Sequence, residues 1–128
     1  EMAFAMGGYR NPSSMEHLDT TSDRWNALTG MSTARHSFGA CAIGGYIFVS
    51  GGEEEIQEGM LVLCATVERY CPSSGTWTAM DPMPESRSSH AAVSVGADMY
   101  ILGGSVGEFD EYELTGSVWK YDSVQCTW

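Results

Sequence analysis

The sequence is short of basic residues. Six lysines and arginines stand against 17 aspartates and glutamates in 128 residues, which gives a formal net charge of −11. Such a surface repels phosphate backbones, and no basic run supplies a local contact for nucleic acid or an anionic lipid surface. The charge balance therefore predicts no nucleic-acid partner and no membrane partner.

Long apolar runs and proline are also scarce. The longest apolar stretches, at 45–50 and 99–102, fall far short of the roughly 20 residues that cross a membrane. Only 4 residues are proline, while 43% are hydrophobic and 15 are glycine. This composition excludes collagen, disfavours general disorder and is typical of a globular protein.

Cysteine pairs with metal-ligand spacing are missing. None of the four cysteines forms a Cys-x-x-Cys pair, and the three histidines lie outside zinc-like spacing from them. Two disulfides remain an alternative, but a chain with this much apolar content does not need them. We expect reduced thiols in a cytoplasmic protein, with no metal site and no cofactor. The cysteines are Cys41, Cys64, Cys71 and Cys126.

An internal repeat with a period of 52 residues organises the chain. Residues 16–52 align without a gap on residues 68–104, and 11 of the 37 aligned positions are identical. Chance would give roughly three identities at this composition, so the repeat is real. The identities include two arginines, Arg35 and Arg87, and the glycine pairs Gly51-Gly52 and Gly103-Gly104.

Each repeat has the pattern of short antiparallel β-strands. Residues 38–43 and 46–50 are β-branched or aromatic runs joined by Gly44-Gly45, which is a tight hairpin signal. The next repeat has the same pattern at 91–95 and 99–102, and a polar loop follows each glycine pair. No stretch of ten or more residues has helical periodicity. Four strands in about 50 residues predict one blade of a β-propeller.

Further residues recur at matching places in the units. The third unit has Arg87, Tyr100, Gly103-Gly104, Tyr121-Asp122 and Trp128, and the middle unit has Tyr70, Pro72, Trp77 and Pro82-Met83. This set resembles the consensus of the kelch-repeat family, although Leu18 replaces the first Tyr and Cys71 replaces an Asp. The resemblance covers essentially the whole chain.

The resemblance implies an all-β fold. It corresponds to a segment of a kelch β-propeller with about two and a half four-stranded antiparallel blades, from a propeller of about six blades. The predicted units are a partial blade at 1–31 with strands two to four, a complete blade at 32–83, and most of a third blade at 84–128.

Two arginines stand where the chain passes from one blade to the next. One interpretation of Arg35 and Arg87 is a salt bridge or backbone contact that locks adjacent blades. The resemblance to kelch substrate receptors implies instead that they line the mouth of the central channel and bind a partner. The same resemblance places there the residues that follow the glycine pairs, which are Tyr9 with its neighbour Arg10, Glu53 and Ser105.

The loops after the second and third glycine pairs are acidic. They hold eight of the 17 acids, and antiparallel connectivity places both loops on the face of the blade-to-blade linkers. One interpretation is a solvated fringe that aids solubility, and the other is a rim for a basic protein segment; EF-hand spacing for calcium is absent. The predicted partner-binding residues are Glu53, Glu54, Glu55 and Glu58 in the first loop and Glu108, Phe109, Asp110, Glu111, Tyr112 and Glu113 in the second.

The resemblance implies a binding platform without catalytic residues. Its leading form is a BTB-kelch protein, whose propeller recruits a protein substrate while regions outside this chain bind a cullin-type ubiquitin ligase. One alternative is a kelch protein that binds actin or the cytoskeleton. Another is a galactose-oxidase-like copper enzyme with kelch-like blades, but no two His and two Tyr form a recognisable metal pattern, so we do not expect an enzyme.

Overall fold

The computed structural model describes residues 2–108 and 111–128. Phe109 and Asp110, two of the predicted partner-binding residues, lie outside the described residues. The described residues form 14 β-strands and no helix, hence none that is long and apolar enough to cross a membrane. The prediction of an all-β fold is confirmed.

The strands form three successive antiparallel sheets and two short hairpins. The first sheet has the order β1-β2-β3, the second β4-β5-β8-β9 and the third β10-β11-β14, while β6-β7 and β12-β13 are separate hairpins. The strand bounds in chain order are β1 (Ala3–Met6), β2 (Met15–Asp19), β3 (Arg24–Ala27), β4 (Gly39–Ile43), β5 (Tyr46–Ser50), β6 (Glu53–Gln57), β7 (Met60–Leu63), β8 (Val67–Cys71), β9 (Thr76–Met80), β10 (Ala91–Val95), β11 (Asp98–Leu102), β12 (Ser105–Val106), β13 (Glu113–Leu114) and β14 (Val118–Asp122).

Short turns that contain glycine join the first two strands of the second and third sheets. Ile43 pairs with Tyr46, so Gly44 and Gly45 form the whole turn, with φ angles of 57° and 84°. A left-handed backbone at both positions matches a type I′ hairpin turn, which glycine adopts without steric cost. The third sheet also has a two-residue turn, Gly96-Ala97, in which Gly96 has a φ of 61°, and β11 begins at Asp98, one residue earlier than the sequence predicts.

Two apolar clusters hold the three sheets together. The larger lies between the second and third sheets and includes Phe48 and Tyr121, whose ring centroids are 6.3 Å apart. The smaller lies between the first and second sheets, where the rings of Phe4 and Tyr70 are 6.5 Å apart. Burial of these side chains against the neighbouring sheet is the main force that stacks the blades.

The recurring tryptophans add hydrogen bonds between neighbouring sheets. Trp77 packs on Tyr70 and donates from Nε1 to the carbonyl oxygen of Thr29, just after β3, at 2.9 Å. Trp128 donates in the same way to the carbonyl oxygen of Asp81, just after β9, at 3.0 Å. Each tryptophan therefore fastens its own sheet to the preceding one, which explains its recurrence.

Candidate partner-binding site

The connections between blades lie at one end of the sheets. His36 lies in the linker before β4, and its backbone N–H donates to the Glu53 carbonyl at 3.1 Å. The backbone N–H of Glu53 donates in return to the His36 carbonyl at 2.9 Å. Ser88 and Ser105 exchange the same two bonds in the third blade, at 3.0 and 2.9 Å. The linkers before β4 and β10 and the hairpins β6-β7 and β12-β13 therefore share one face, which we call the hairpin face.

The first acidic segment is a β-hairpin and not the loop that the sequence predicts. Glu53, Glu54 and Glu55 lie in β6, and β7 pairs with β6 across a turn that contains Gly59. Gly59 has a φ of 78°, and a glycine followed by the apolar run Met60–Leu63 is a hairpin signal that our sequence interpretation missed. Strand alternation places Glu53 and Glu55 on one side of the hairpin and Glu54 on the other.

The second acidic segment lies beside the first. Tyr112 is 42% exposed and donates its hydroxyl to the carbonyl oxygen of Leu61 in β7 at 3.3 Å, which links the two hairpins.

The binding role of these segments stays a prediction. Of the residues predicted to bind, the structure exposes Tyr9, Arg10, Glu55, Glu58, Glu108, Glu111, Tyr112 and Glu113, and it half-buries Glu53, Glu54 and Ser105.

Arg35 lies inside the second blade. Its fully buried guanidinium group donates from Nη1 to the carbonyl oxygens of Gly51 at 2.9 Å and Thr66 at 3.0 Å. Nη2 donates to Thr66 Oγ1 at 2.8 Å and to Glu68 Oε2 at 3.1 Å. The buried Glu68 carboxylate also accepts two backbone N–H bonds from the linker that precedes Arg35. The pair thus ties the linker to the ends of β5 and β8.

Arg87 repeats this arrangement in the third blade with a different acid. It is fully buried and donates to the Gly103 carbonyl at 3.0 Å and to Ser117 Oγ at 2.9 Å. In β14, Trp119 occupies the place that Glu68 has in β8, because each lies opposite an equivalent residue of the second strand. The acid comes instead from the linker, where Glu85 Oε2 accepts from Arg87 at 2.8 Å.

The burial of both arginines corrects the predicted contact with a partner. Neither Arg35 nor Arg87 has exposed surface, so neither guanidinium group reaches a partner at the channel mouth. Carbonyl groups at strand exits accept hydrogen bonds from both arginines instead, as buried backbone acceptors require. The structure favours the other interpretation, a backbone and ion-pair contact, but within one blade and its linker.

A cleft of about 430 Å³ opens on the hairpin face between the first and second blades. Tyr9 forms part of one wall, is 86% exposed, and has its ring centroid 5.9 Å from that of His36. His36 Nδ1 lies 3.8 Å from Glu53 Oε2. The cleft brings together Tyr9, Glu53 and Glu55, which the sequence predicts to bind, with His36, to which it assigns no role there. The lining residues are Tyr9, Pro12, Ala34, His36, Glu53, Glu55, Gly59 and Leu61.

His90 and Cys71 are among the side chains whose pKa values are shifted. Burial, with the positive charge of Arg87, lowers the pKa of His90 to about 4, and His90 Nε2 lies 3.0 Å from Ser50 Oγ. Hydrogen bonds with two serines of its turn lower the pKa of the Cys71 thiol to about 7. All four cysteines are free. Within the described residues, no three His, Cys, Asp or Glu side chains are grouped to hold a metal ion.

Comparison with known proteins gives consistent matches. The family model described as Kelch motif matches residues 34–84 and 86–128. Kelch-like protein 40 of Mus musculus is 33% identical over 110 residues, which cover 81% of this chain and 17% of that protein. Kelch-like protein 35 of Homo sapiens is 30% identical over 123 residues, which cover 96% of this chain and 19% of that protein. The chain therefore spans less than a fifth of the length of these curated relatives.

The fold also matches a solved structure. The structure of YjhT superimposes with a TM-score of 0.74 over 82% of this chain and 32% of that chain, at 22% sequence identity. At this identity the likeness shows the fold alone. Together with the stacked antiparallel sheets, it shows a segment of a β-propeller.

Proposed function

The chain belongs to the kelch-repeat family, and from this membership we propose that it is the substrate-recruiting region of an adaptor for a cullin-type ubiquitin ligase. The curated relatives are kelch-like proteins, and the repeats form a protein-interaction domain. In this proposal the chain contributes the surface that selects the substrate. A BTB region outside the chain binds the ligase.

The hairpin face is the observation that supports a binding role and indicates the kind of partner. Two neighbouring hairpins present carboxylates to solvent around the partly exposed ring of Tyr112, in a chain with a net charge of −11. A negative potential speeds the encounter with a basic protein segment and rejects acidic ones. An aromatic side chain supplies the desolvated contact that surface charges do not. The best-fitting partner is therefore a protein with a basic segment.

Purification of the full-length protein from cells would test the adaptor role. The protein should co-purify with a cullin scaffold, and a protein captured through the kelch region should accumulate when the adaptor is removed. Deletion of the kelch region should abolish substrate capture and preserve the cullin association. Absence of a cullin would contradict the adaptor role, and co-sedimentation with filamentous actin would favour the cytoskeletal alternative.

The acidic hairpins should control the rate of partner association. Replacing Glu108, Glu111 and Glu113 with glutamine is expected to lower the association rate more than it raises the dissociation rate, with a flatter dependence on ionic strength. Salt screens such surface charges over a Debye length of about 8 Å. Surface plasmon resonance at several salt concentrations measures both rates.

An acid away from the hairpin face provides the control for this experiment. Asp23 is exposed in the turn between β2 and β3, at the opposite end of the sheet, so Asp23→Asn should change neither rate. An unchanged rate and salt slope in the triple variant would show that the acids of the second hairpin serve only solubility.

A further inference from the structure

We propose that the cleft between the first and second blades binds the side chain of an arginine from a protein partner, an assignment that rests on the proposed protein-binding function. The cleft combines carboxylates, aromatic rings and apolar side chains in one concavity. These three kinds of group match the charge, the plane and the methylene stem of an arginine.

The carboxylates supply the charge complementarity. Glu53 and Glu55 are two residues apart in β6, so both face the cleft, where both are lining residues. The Glu53 side chain is 20% exposed, and Glu55 Oε1 accepts the Gly59 N–H at 2.6 Å, which orients it. Among the described residues, the ion pairs of arginine and lysine involve neither carboxylate. Two acids in a concave wall without such a partner attract an external cation.

The aromatic wall favours arginine over lysine. The rings of Tyr9 and His36 are tilted by 51° with centroids 5.9 Å apart, and both line the cleft beside the acids. A planar guanidinium group stacks on an aromatic face while it donates two parallel bonds to a carboxylate. The ammonium group of lysine is a point charge and cannot make both contacts in this geometry.

The remaining lining accommodates the stem of the side chain. Leu61 lies directly opposite Glu55 in the β6-β7 register, so an apolar and an acidic side chain lie side by side in the wall. Pro12 and Ala34 add apolar surface from the loop after β1 and from the linker. Arginine stems pack on such surface while the charged end reaches polar groups. The cleft volume of about 430 Å³ falls within the range of ligand pockets and exceeds that of one side chain.

A capped amino acid tests the proposal without a known partner. Nα-acetyl-arginine methylamide is titrated into the ¹⁵N-labelled chain, and the amide resonances of Tyr9, His36 and Leu61 should shift with saturation. The citrulline analogue keeps the shape and removes the charge, so it should bind about fivefold more weakly or not at all. The lysine analogue should bind between these two. Equal binding of arginine and citrulline, or shifts that avoid the cleft, would overturn the proposal.

Variants of the two walls locate the binding. Glu53→Gln with Glu55→Gln should weaken arginine binding about fivefold, and Tyr9→Leu should weaken it through loss of the stacking surface. Glu54→Gln removes one charge from the other side of β6 and should have no effect. If Glu54→Gln weakens binding as much as the double variant, general charge and not the cleft is responsible. If the chain does not bind arginine in these tests while the full-length protein still associates with a cullin and captures a substrate, the proposal for the cleft is rejected and the proposed function stands.

Discussion

Replacement of Arg35 with alanine is expected to lower the free energy of unfolding by about 3–5 kcal/mol, the range for a buried ion pair that loses one partner. Glu68 is 4% exposed and would lose its counter-charge in the interior. The carbonyl groups of Gly51 and Thr66 would each lose a donor. Arg35→Lys restores the charge but not the planar set of donors, so an intermediate loss is expected.

Denaturant unfolding followed by tryptophan fluorescence measures these changes. Arg24 is exposed in β3, so Arg24→Ala should stay within about 0.5 kcal/mol of the unmodified chain. Arg87→Ala should cost less than Arg35→Ala, because the Glu85 side chain is 46% exposed and regains water. Unchanged stability together with weaker partner binding in Arg35→Ala would instead support the interpretation that Arg35 contacts a partner at the channel mouth.

The strands were predictable because the repeat and the turns carry local signals. The glycine turn at Gly44 and Gly45 and the alternating runs around it define β4 and β5 almost to the residue. The recurring Trp77 marks the same place in each unit because it must reach the preceding sheet. Each unit packs against its neighbouring blades in the same way, so the residues that make these contacts recur in each repeat of the sequence.

The candidate site was less predictable because it depends on side-chain direction and on contacts between units. The aligned positions of Arg35 and Arg87 are equivalent, but sequence spacing does not show that both side chains turn into their own blades. The short β6-β7 hairpin was not predicted from the sequence because β6 begins with a run of glutamates, and glutamate is a weak strand former. The cleft unites Tyr9 with His36 from another blade, which no local pattern reveals.

His90 occupies a place where the preceding repeat has an apolar ring. Phe38 is its equivalent 52 residues earlier, and a Cβ placed on Gly7 would lie 2.6 Å from Phe38 Cε1. Likewise, a Cβ placed on Gly39 would lie 2.6 Å from His90 Nε2. Both rings therefore fill the space against the preceding blade. His90 is 7% exposed, and its Nδ1 has no hydrogen-bond partner among the described residues.

Acid should weaken this contact between the second and third blades. Burial and the charge of Arg87 lower the pKa of His90 from 6.5 to about 4, so the folded chain holds the imidazole neutral. Between these two values the unfolded chain binds a proton that the folded chain does not. The stabilisation is therefore complete above pH 6.5 and is lost as the pH falls towards 4, by roughly 3 kcal/mol in total.

The variant His90→Phe should flatten this pH dependence, because it installs the ring that the preceding repeat uses at the same place. Free energies of unfolding at pH 7.5 and pH 4.5 are compared between the unmodified chain and the variant. Carboxylates titrate equally in both, so the difference between the two pH slopes isolates His90. An NMR titration should also show the native His90 ring neutral at pH 5. Identical slopes, or a ring that protonates near pH 6.5 in the folded chain, would show that His90 is not sealed between the blades.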